Sequence, residues 1–558
     1  MKSYFKFPSL VIFSLLLVLG MNMGCKKQAL NYTTTTTLNI VDYMRQDPKF
    51  SEFVKMLDST NISSYLNAYG AYTCFAPTND AIKLYLTQIG KKSIADIDTA
   101  SLKNIIRFHL IQDTLSTPSF IDGKMSSPTM YGQYLVTGTG VDNGVSSILV
   151  NRQANIIQSN ILTGNGYIHV IDHVLQPATL TLAKTLEANS RYSIYTQALK
   201  ATGLYDTLNI ANNPDTTRRW ITFVAESDSV LKIAHINSYA DLFAKYCLTG
   251  NPKNPSDSLY LYMAYHILPG LKYMTDIISS PSHATLVTAQ IITAELDGQS
   301  IVLNQATFNG IFESGVLMNR PYSDNSCTNG VLHELAGDIY LKIRSPFRVD
   351  MDLGDQPEIR KMTSIFRIGG KSVLLNYGQL ANVTWSVTTQ QLSYYVEAAT
   401  GANFYYWNDG VSITLRTAAG TNPWIEFTTP LIVAGKYKVW VNYRKGNGKY
   451  IQASVDGVAL SRILDLTGYL PTPPKTDDVL ESQGYKRYSS VAAFANNTQI
   501  GQLAGVVTVT STDKHKIRLT CIKDGGKGDA TLDMIQFIPI DADQQYPRFG
   551  KDGSIVPR

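Results

Sequence analysis

Thr73-Cys-Phe-Ala-Pro-Thr-Asn-Asp-Ala-Ile82 passes from strand-forming residues, through a proline, into residues that begin a helix. Tyr72 to Ala76 have strand character, and Pro77 ends the strand. A side-chain oxygen of Thr78 or Asn79 can cap the helix that follows, because it satisfies a free backbone N–H. The segment therefore predicts a strand-to-helix corner and not a catalytic loop.

This pattern and two others recur later in the chain in the same order. Thr73–Ile82 is echoed by Thr222–Leu231, Ile106–Ile111 by Ala264–Leu268, and Asn165–Asp172 by Asn329–Ala336. The offsets between the copies are 149, 157 and 164 residues, and they grow as connecting loops lengthen. Two copies of one domain are the simplest explanation.

These motifs resemble those of the fasciclin domain: a strand running into F-A-P-T-N-D-A, a central Y/F-H pair, and a closing N-G-x-[IV]-H-x-[IV]-D strand. The first copy, residues 38–178, matches them closely. The second copy, residues 188–346, is divergent, with Glu226-Ser227 in place of Pro-Thr and with Glu334 and Ala336 in the last strand. The resemblance implies two α+β domains.

Four histidines in these copies invite a metal or catalytic interpretation. His169 and His173 are four residues apart, but β-branched neighbours indicate a strand, in which four steps of ~3.3 Å place them roughly 13 Å apart. They cannot share one ion. His109 and His266 recur at equivalent positions, and we interpret each as a half-buried imidazole bonded to the backbone, without a catalytic role.

The cysteines that follow the N-terminal region are scattered without C-x-x-C spacing: Cys74, Cys247, Cys327 and Cys521. Neither a zinc cluster nor a dense disulfide scaffold is indicated. Cys247 and Cys327 are the only pair within one predicted domain, and whether they form a disulfide stays open.

The last third of the chain has a different pattern. Residues 347–361 are mixed and charged and predict a linker. From 362 to 541 short strands alternate with period two, and few helix signals interrupt them. The predicted fold class is multidomain, two α+β fasciclin-like domains followed by an all-β jelly-roll sandwich, with residues 542–558 as a tail.

The order of phrases in this region resembles the galactose-binding-like jelly roll of carbohydrate-binding modules. It opens with Glu397-Ala398, continues through W-I-E-F, A-G-x-Y-x-V-x-V-x-Y and V-D-G, and closes with L-D-x-I-x-F. The resemblance implies that sugars stack on aromatic side chains in the loops between strands. It also implies a place for a structural calcium ion near Glu397.

An aromatic run supplies the candidate glycan-binding residues. They are Tyr405, Tyr406, Trp407, Asn408 and Asp409. Flat rings present apolar faces to sugar C–H groups, and the amide and carboxylate can bond to hydroxyls. The alternative, that the rings cover the sandwich core or contact a fasciclin domain, stays open.

The N-terminus has the order of a secretory signal. Lys2 and Lys6 precede an apolar run from Phe7 to Leu19, and residues 1–24 are predicted to be a signal peptide. Gly24-Cys25 resembles a bacterial lipoprotein cleavage site, which implies that Cys25 carries the lipid anchor. Plain secretion is the alternative. Residues 25–37 include five threonines and predict a polar tether.

Composition and the absence of known catalytic motifs argue against some classes of function. The 558 residues carry 49 Lys+Arg and 44 Asp+Glu, a net charge of +5 with no basic block, so nucleic acid is not an expected partner. We find no G-x-S-x-G elbow, phosphate loop or H-E-x-x-H. Paired carboxylates for glycoside cleavage stay open, because the fold and not the spacing sets them. The repeat architecture favours binding, and the chain is predicted to be non-enzymatic, with no cofactor beyond the calcium named above.

Two functions remain from these observations. The first is an exported, lipid-anchored outer-membrane protein that binds polysaccharide, as an accessory of an uptake system of the kind common in Bacteroidetes. The second is an adhesion or assembly lipoprotein that acts only through protein contacts with other envelope proteins. Display on the cell surface or on the periplasmic face is left undetermined.

Overall fold

The computed structural model describes residues 37–67, 70–142, 145–342, 344–398, 405–446, 449–468, 470–471, 475–490, 499–524 and 528–558. The chain forms two compact units, which divide between Pro177 and Ala178. The predicted signal peptide, Cys25 and almost all of the predicted tether lie outside the described residues.

The first unit combines helices with one mixed sheet. Its helices are α1 (Ile40–Gln46), α2 (Ser51–Ser59), α3 (Ile62–Asn67), α4 (Asn79–Gln88) and α5 (Thr99–Phe108). Its strands are β1 (Tyr72–Pro77), β2 (Leu110–Ile111), β3 (Gly123–Lys124), β4 (Val136–Asp142), β5 (Val145–Val150), β6 (Ala154–Thr163) and β7 (Gly166–Ile171). The strand order is β2-β1-β7-β6-β5-β4-β3, with β1 parallel to β7.

The strand-to-helix corner forms as the sequence predicts. Every residue of β1 is buried, as expected for a strand covered on both faces. The Thr78 hydroxyl accepts a hydrogen bond from the Ala81 N–H at 3.2 Å and caps α4. Of the two predicted caps, Thr78 is therefore the one used.

The Asn-Gly pair of the closing motif has a definite structural task. Asn165 accepts from the Ile40 N–H at 2.9 Å and donates to the Leu66 carbonyl at 2.6 Å, which ties α1 and α3 to the sheet. A Cβ on Gly166 would lie 1.8 Å from the Tyr72 carbonyl oxygen, so only glycine allows β7 to approach β1.

The second unit begins with a repeat of this architecture. Its helices are α6 (Leu182–Glu187), α7 (Ser193–Thr202), α8 (Leu204–Leu208), α9 (Asp228–Ile233), α10 (Tyr239–Tyr246), α11 (Ser258–Tyr265) and α12 (Met274–Ile278). Its strands are β8 (Ile221–Glu226), β9 (Ile267–Pro269), β10 (Ser282–Ala284), β11 (Ile291–Asp297), β12 (Ser300–Phe308), β13 (Ile311–Asn319), β14 (Asn325–Cys327) and β15 (Gly330–Leu335).

The two sheets share strand order and register. The second sheet runs β9-β8-β15-β13-β12-β11-β10, the same path as the first, and β14 pairs with β15. Phe75 lies opposite His169 in the first sheet, and Val224 lies opposite His333 in the second. The place of β6 is divided between β13 and β14.

The rest of the second unit is a sandwich of two antiparallel sheets. Its strands are β16 (Val349–Asp352), β17 (Ser372–Leu375), β18 (Val383–Trp385), β19 (Leu392–Val396), β20 (Asp409–Ile413), β21 (Trp424–Ile432), β22 (Gly435–Arg444), β23 (Lys449–Val455), β24 (Val458–Asp465), β25 (Tyr485–Lys486), β26 (Gln499–Val509), β27 (Asp513–Asp524) and β28 (Ala530–Pro539). Two short helices, α13 (Pro357–Arg360) and α14 (Asp477–Gln483), and a hairpin of β29 (Arg548–Phe549) and β30 (Ile555–Val556) accompany them.

One sheet has the order β17-β19-β20-β28-β22-β26-β25, with β16 added on β28, and the other has the order β18-β21-β27-β23-β24. Their inner faces enclose a single apolar core that includes Trp385, Val439, Leu519 and Phe537. The predicted succession of α+β and then all-β architecture is confirmed at this level.

Two segment assignments from the sequence are wrong. Val349–Asp352, predicted as linker, forms β16 and pairs with β28 in the sandwich. The predicted tail also packs on the sandwich: the Trp440 indole N–H donates to Gln544 at 2.9 Å, and Trp440 is fully buried. In the first segment Val349 and Met351 enter the apolar core and alternate with Asp350 and Asp352, as in a strand.

Candidate functional site

The outer face of the five-stranded sheet is an open polar surface. In β21, β23 and β27 alternate residues point into the core, and their neighbours point outward. Register then fixes the outward neighbours: Glu426 lies opposite Arg518, which lies opposite Ser454. One step along, Trp424 lies opposite Thr520, which lies opposite Gln452.

All of these side chains except Trp424 line a shallow groove of about 480 Å³, and Trp424 lies beside it. Arg518 Nε donates to Glu426 Oε2 at 2.8 Å, and its guanidinium carbon lies 4.1 Å from the centre of the Trp424 ring. The rest of the lining is mixed: Gln452, Ser454, Asp456, Lys516 and Thr520 are polar, and Ala459 and Ile522 are apolar. The groove thus offers hydrogen-bond donors and acceptors next to one aromatic face.

The predicted glycan-binding run lies elsewhere, at one end of the other sheet. Tyr405 and Asp409 are fully buried. The Tyr405 ring packs edge-on against Tyr395, with ring centres 5.7 Å apart. Asp409 accepts a hydrogen bond from the Tyr394 hydroxyl at 2.7 Å. The prediction of a ligand-facing surface is therefore wrong for Tyr405 and Asp409, because both side chains belong to the core.

The three residues between them are half-buried. The Tyr406 ring meets Phe549 edge-on at 5.0 Å, and Arg367 lies 4.3 Å from the Trp407 ring centre. The Asn408 amide donates to the Glu397 carbonyl at 2.7 Å. Their main contacts are with protein, in agreement with the alternative that the sequence left open.

Beneath this run lies a cluster of buried aspartates. Burial raises the pKa of Asp352 and of Asp533 well above the usual range, and it raises the pKa of Asp409 to about 6. Arg367 supplies the counter-charge, with a guanidinium nitrogen 3.1 Å from Asp352 and another 3.8 Å from Asp409. The Tyr406 N–H donates to Asp533 at 3.0 Å.

The described residues around Glu397 do not supply a set of ligands for the calcium ion that the sequence resemblance implied. The Glu397 carboxylate lies 3.6 Å from an Arg444 guanidinium nitrogen, which takes up its charge. Across the described parts of the chain, no group of three or more His, Cys, Asp or Glu side chains is arranged to hold a metal ion.

The histidines that drew attention in the sequence are structural. His109 Nδ1 bonds to the Ile105 carbonyl at 2.8 Å, and its Nε2 accepts from the Leu175 N–H at 3.0 Å. Burial lowers the pKa of His109 to about 4. His169 is also buried and bonds to the Leu115 carbonyl at 2.9 Å. His109 and His266 are both fully buried and not half-buried as predicted, and each bonds through Nδ1 to a backbone carbonyl as predicted.

The four cysteines within the described residues are all free thiols. A disulfide between Cys247 and Cys327, which the sequence left open, is absent from the structure. The Cys327 thiol instead lies 3.3 Å from the Thr185 hydroxyl. No helix in the described ranges is long and apolar enough to cross a membrane.

Comparison with known proteins identifies one domain. The family model described as "Fasciclin domain" matches residues 48–177. Human periostin is 34% identical over 137 residues, which are 24% of this chain and 15% of periostin. Protein sll1483 of Synechocystis is 27% identical over 144 residues, 26% of this chain and 76% of that protein. The chain thus contains a fasciclin domain, and it spans only small fractions of the larger relatives.

Solved structures similar to parts of the chain fall into two groups. A FAS1 domain pair of the insect cell adhesion molecule Fasciclin I is 19% identical with a TM-score of 0.26, and it covers 53% of this chain and 98% of its own. A carbohydrate-binding module, CBM36 in complex with calcium and xylotriose, is 14% identical with a TM-score of 0.17, and it covers 30% of this chain and 98% of its own.

The sequence alone did not identify this open face as a site, although strand alternation gives part of the signal. The alternation of β21, β23 and β27 identifies which residues point outward, Trp424 and Glu426 among them. Only the register between strands brings Arg518 beside both of them, and register depends on long-range pairing.

Proposed function

We propose that the chain is a non-enzymatic binding protein of the cell envelope whose C-terminal sandwich binds glycan on the outer face of its five-stranded sheet. The observation that carries this proposal is the groove in which Glu426, Arg518, Gln452 and Ser454 meet beside Trp424. The order of strand phrases in the sequence supports it as well.

The chemistry of the groove suits a sugar. Sugar rings present hydroxyls at their edges and C–H groups on their faces. Planar amide, carboxylate and guanidinium groups can bond to adjacent hydroxyls, and the Trp424 ring can receive a sugar face. In the structure Arg518 lies over that ring, so a bound sugar must share the ring with Arg518 or displace it.

Affinity electrophoresis against a panel of soluble polysaccharides tests the proposal. For a polysaccharide that retards the native protein, Trp424→Ala removes a ring contact of about 1 kcal/mol and should weaken binding several-fold. Gln452→Ala should weaken it similarly through a lost hydrogen bond. Lys436→Ala, at an exposed position on the other sheet, serves as the control and should bind normally.

Two outcomes would refute this assignment. Retention that survives Trp424→Ala and Gln452→Ala unchanged would place glycan binding elsewhere. Absence of retention by every polysaccharide, from a protein with normal circular dichroism, would favour function through protein contacts alone.

That second function has an observation of its own. At the turn between β12 and β13 the side chains of Ile311 and Phe312 are 69% and 62% exposed. Adjacent exposed apolar residues are typical of protein contact surfaces. We propose adhesion or assembly through this hairpin as the alternative. The variant Ile311→Ser/Phe312→Ser should then lose partners recovered by cross-linking in intact cells, and unchanged recovery would contradict it.

We also propose that the protein is exported and anchored to the outer membrane through a lipid on Cys25, as an accessory of polysaccharide uptake. The signal-like N-terminus supports this location. Cys25→Ala should abolish labelling by a radiolabelled fatty acid and release the protein from the membrane fraction. Continued labelling of the variant would refute the anchor.

A further inference from the structure

The second fasciclin-like repeat contains a cavity of about 470 Å³ beside β8 and α11. Its walls are mostly apolar and include Leu204, Ile210, Trp220, Tyr260, Leu261 and Leu286. A concave, largely apolar space of this size is typical of sites for small organic ligands. It lies in a different domain from the proposed glycan site.

Comparison of the repeats shows how the cavity arises. Tyr72 pairs with Gly166 in the first sheet, and Ile221 pairs with Gly330 in the second, so Ile221 stands where the first repeat has Tyr72. In the first repeat the Tyr72 ring is buried against Tyr65, with ring centres 6.1 Å apart. The second repeat replaces this buried ring with a smaller side chain.

The second ring of that pair is lost as well. Asn165 donates to the Leu66 carbonyl, and Asn329 donates to the Leu208 carbonyl, which makes Leu66 and Leu208 equivalent. The residue before Leu208 is Thr207, and it corresponds to Tyr65. Both Thr207 and Ile221 line the cavity.

A helix face changes character at the same place. His109 and His266 each bond through Nδ1 to the carbonyl four residues earlier, which aligns α5 with α11. The exposed Lys103, Asn104 and Arg107 of α5 then correspond to Tyr260, Leu261 and Ala264 of α11. All three residues of α11 line the cavity. A polar surface in one repeat has become an apolar wall in the other.

The connection that closes the cavity is also specific to the second repeat. Four residues, 68–71, join α3 to β1, whereas twelve residues, 209–220, join α8 to β8. The longer connection contributes Ile210, Arg218 and Trp220 to the lining. The first repeat shows that the fold does not need these changes, so we attribute them to a ligand.

The charge at the cavity indicates the ligand class. Among the lining residues that the structure describes, Arg218 is the one with a charged side chain. Its Nε lies 3.5 Å from Asp215, and the two side chains are 78% and 48% exposed, so this ion pair is weak and can be exchanged. We propose that the cavity binds an amphipathic carboxylate, with its hydrocarbon body inside and its carboxylate on Arg218.

Titration of the full chain with laurate, followed by tryptophan fluorescence and calorimetry, tests this site. We expect saturable binding at one site, and Trp220→Phe should remove most of the fluorescence change. Ala264→Arg restores the residue type of the first repeat and should fill the cavity, weakening laurate binding at least ten-fold. Arg107→Ala in the first repeat is the matched control and should bind as the native chain does.

A second comparison tests the head group. Arg218→Gln should weaken laurate several-fold but leave dodecanol unaffected. Dodecyltrimethylammonium, with the same chain and opposite charge, should bind more weakly than laurate. If Ala264→Arg proves misfolded by circular dichroism, Tyr260→Lys takes its place, because Lys103 is tolerated at that helix position.

Three results would overturn the proposal. The first is no saturable laurate binding to the native chain. The second is binding that a folded cavity variant leaves unchanged. The third is binding of dodecyltrimethylammonium as tight as that of laurate, which would remove Arg218 from the site.

Discussion

Arg191→Met should strongly destabilise the second repeat, because it leaves a buried carboxylate without its counter-ion. Glu334, on β15, has a side chain that is only 1% exposed. Arg191 reaches it with two nitrogens, at 2.8 Å and 3.2 Å. The Tyr192 hydroxyl donates to it at 2.9 Å, and the Asn319 amide donates at 2.7 Å.

The magnitude follows from this environment. Removing one partner of a buried ion pair costs about 3 to 5 kcal/mol. We expect the lower end, about 3 kcal/mol, because the Arg191 side chain is 36% exposed and two neutral donors remain on Glu334. For a domain of this size, that corresponds to a fall of roughly 6 to 12 °C in the melting temperature.

A double-mutant cycle separates the ion pair from general packing. Ala76 lies opposite Val170 in the first sheet, and Ala225 lies opposite Glu334 in the second, so valine is tolerated at this place in the first repeat. Once Glu334→Val has removed the carboxylate, adding Arg191→Met should cost less than about 1 kcal/mol. The coupling energy should therefore be about 2 kcal/mol or more.

Differential scanning calorimetry of the full chain measures these changes, with the transition of the first unit as the internal reference. Lys200→Met is the control, since Lys200 lies 2.6 Å from Glu187 but is 51% exposed, and it should cost at most about 1 kcal/mol. A shift below about 2 °C for Arg191→Met, or an equal shift in the Glu334→Val background, would refute the reasoning.

Three further predictions concern other parts of the chain. Trp407→Ala should lower the stability of the sandwich by about 2 kcal/mol in thermal unfolding, because the ring is half-buried. The variant should still be retained by glycan as the native protein is, and loss of retention without loss of stability would show that Trp407 contacts the ligand. Burial raises the pKa of Asp409 to about 6, so the folded state keeps a proton that the unfolded chain releases near pH 4. The melting temperature of the native protein should therefore fall relative to that of Asp409→Asn as the pH rises from 4 to 7, and a relative rise over that range would contradict this. Gly330→Ala should prevent folding of the second repeat or destabilise it by several kcal/mol, because the new Cβ would lie 1.9 Å from the Ile221 carbonyl oxygen, and a melting temperature within 2 °C of the native value would exclude that contact.

The sequence predicted correctly those features that depend on a few neighbouring residues. The corner at Thr78 depends on a strand, a proline and a capping hydroxyl within a few residues, and it forms as predicted. The repeat is recognisable for the same reason, since Asn165-Gly166 and Asn329-Gly330 each meet a close approach of the neighbouring strand.

The sequence did not predict the structure of segments whose conformation depends on pairing with distant residues. Val349–Asp352 carries two aspartates and reads as a linker, yet β28 gives it a place in the sheet. The run from Tyr405 to Asp409 reads as an exposed aromatic loop, yet Phe549 and Arg367 pack against it. Val349–Asp352 does alternate with period two, but four residues are too few to distinguish a strand from a linker, and the partners of both segments lie on other elements, up to more than a hundred residues away.

The second repeat differs from the first at motif positions but keeps the fold, because other contacts replace the ones that are lost. In the first repeat the Leu175 N–H donates to His109 Nε2 at 3.0 Å. In the second, Glu226 replaces the proline of the corner, and the equivalent N–H of Ile339 donates to its carboxylate at 2.7 Å. The contact at Nδ1 of the histidine is the same in both repeats.

The Nε2 atom of His266, freed from that backbone contact, lies 2.7 Å from the Tyr195 hydroxyl instead. A buried glutamate is costly unless it is paired and hydrogen-bonded. Glu334 meets that condition through Arg191 and Tyr192, and Glu226 meets it through His266 and the Ile339 N–H, whose equivalents His109 and Leu175 are also present in the first repeat. The departure at Glu334 thus occurs together with a partner, Arg191, whereas Glu226 uses positions that both repeats share. A search for related chains should therefore require Arg191 wherever Glu334 is present, and a relative with the glutamate but without the arginine would show that the two did not change together.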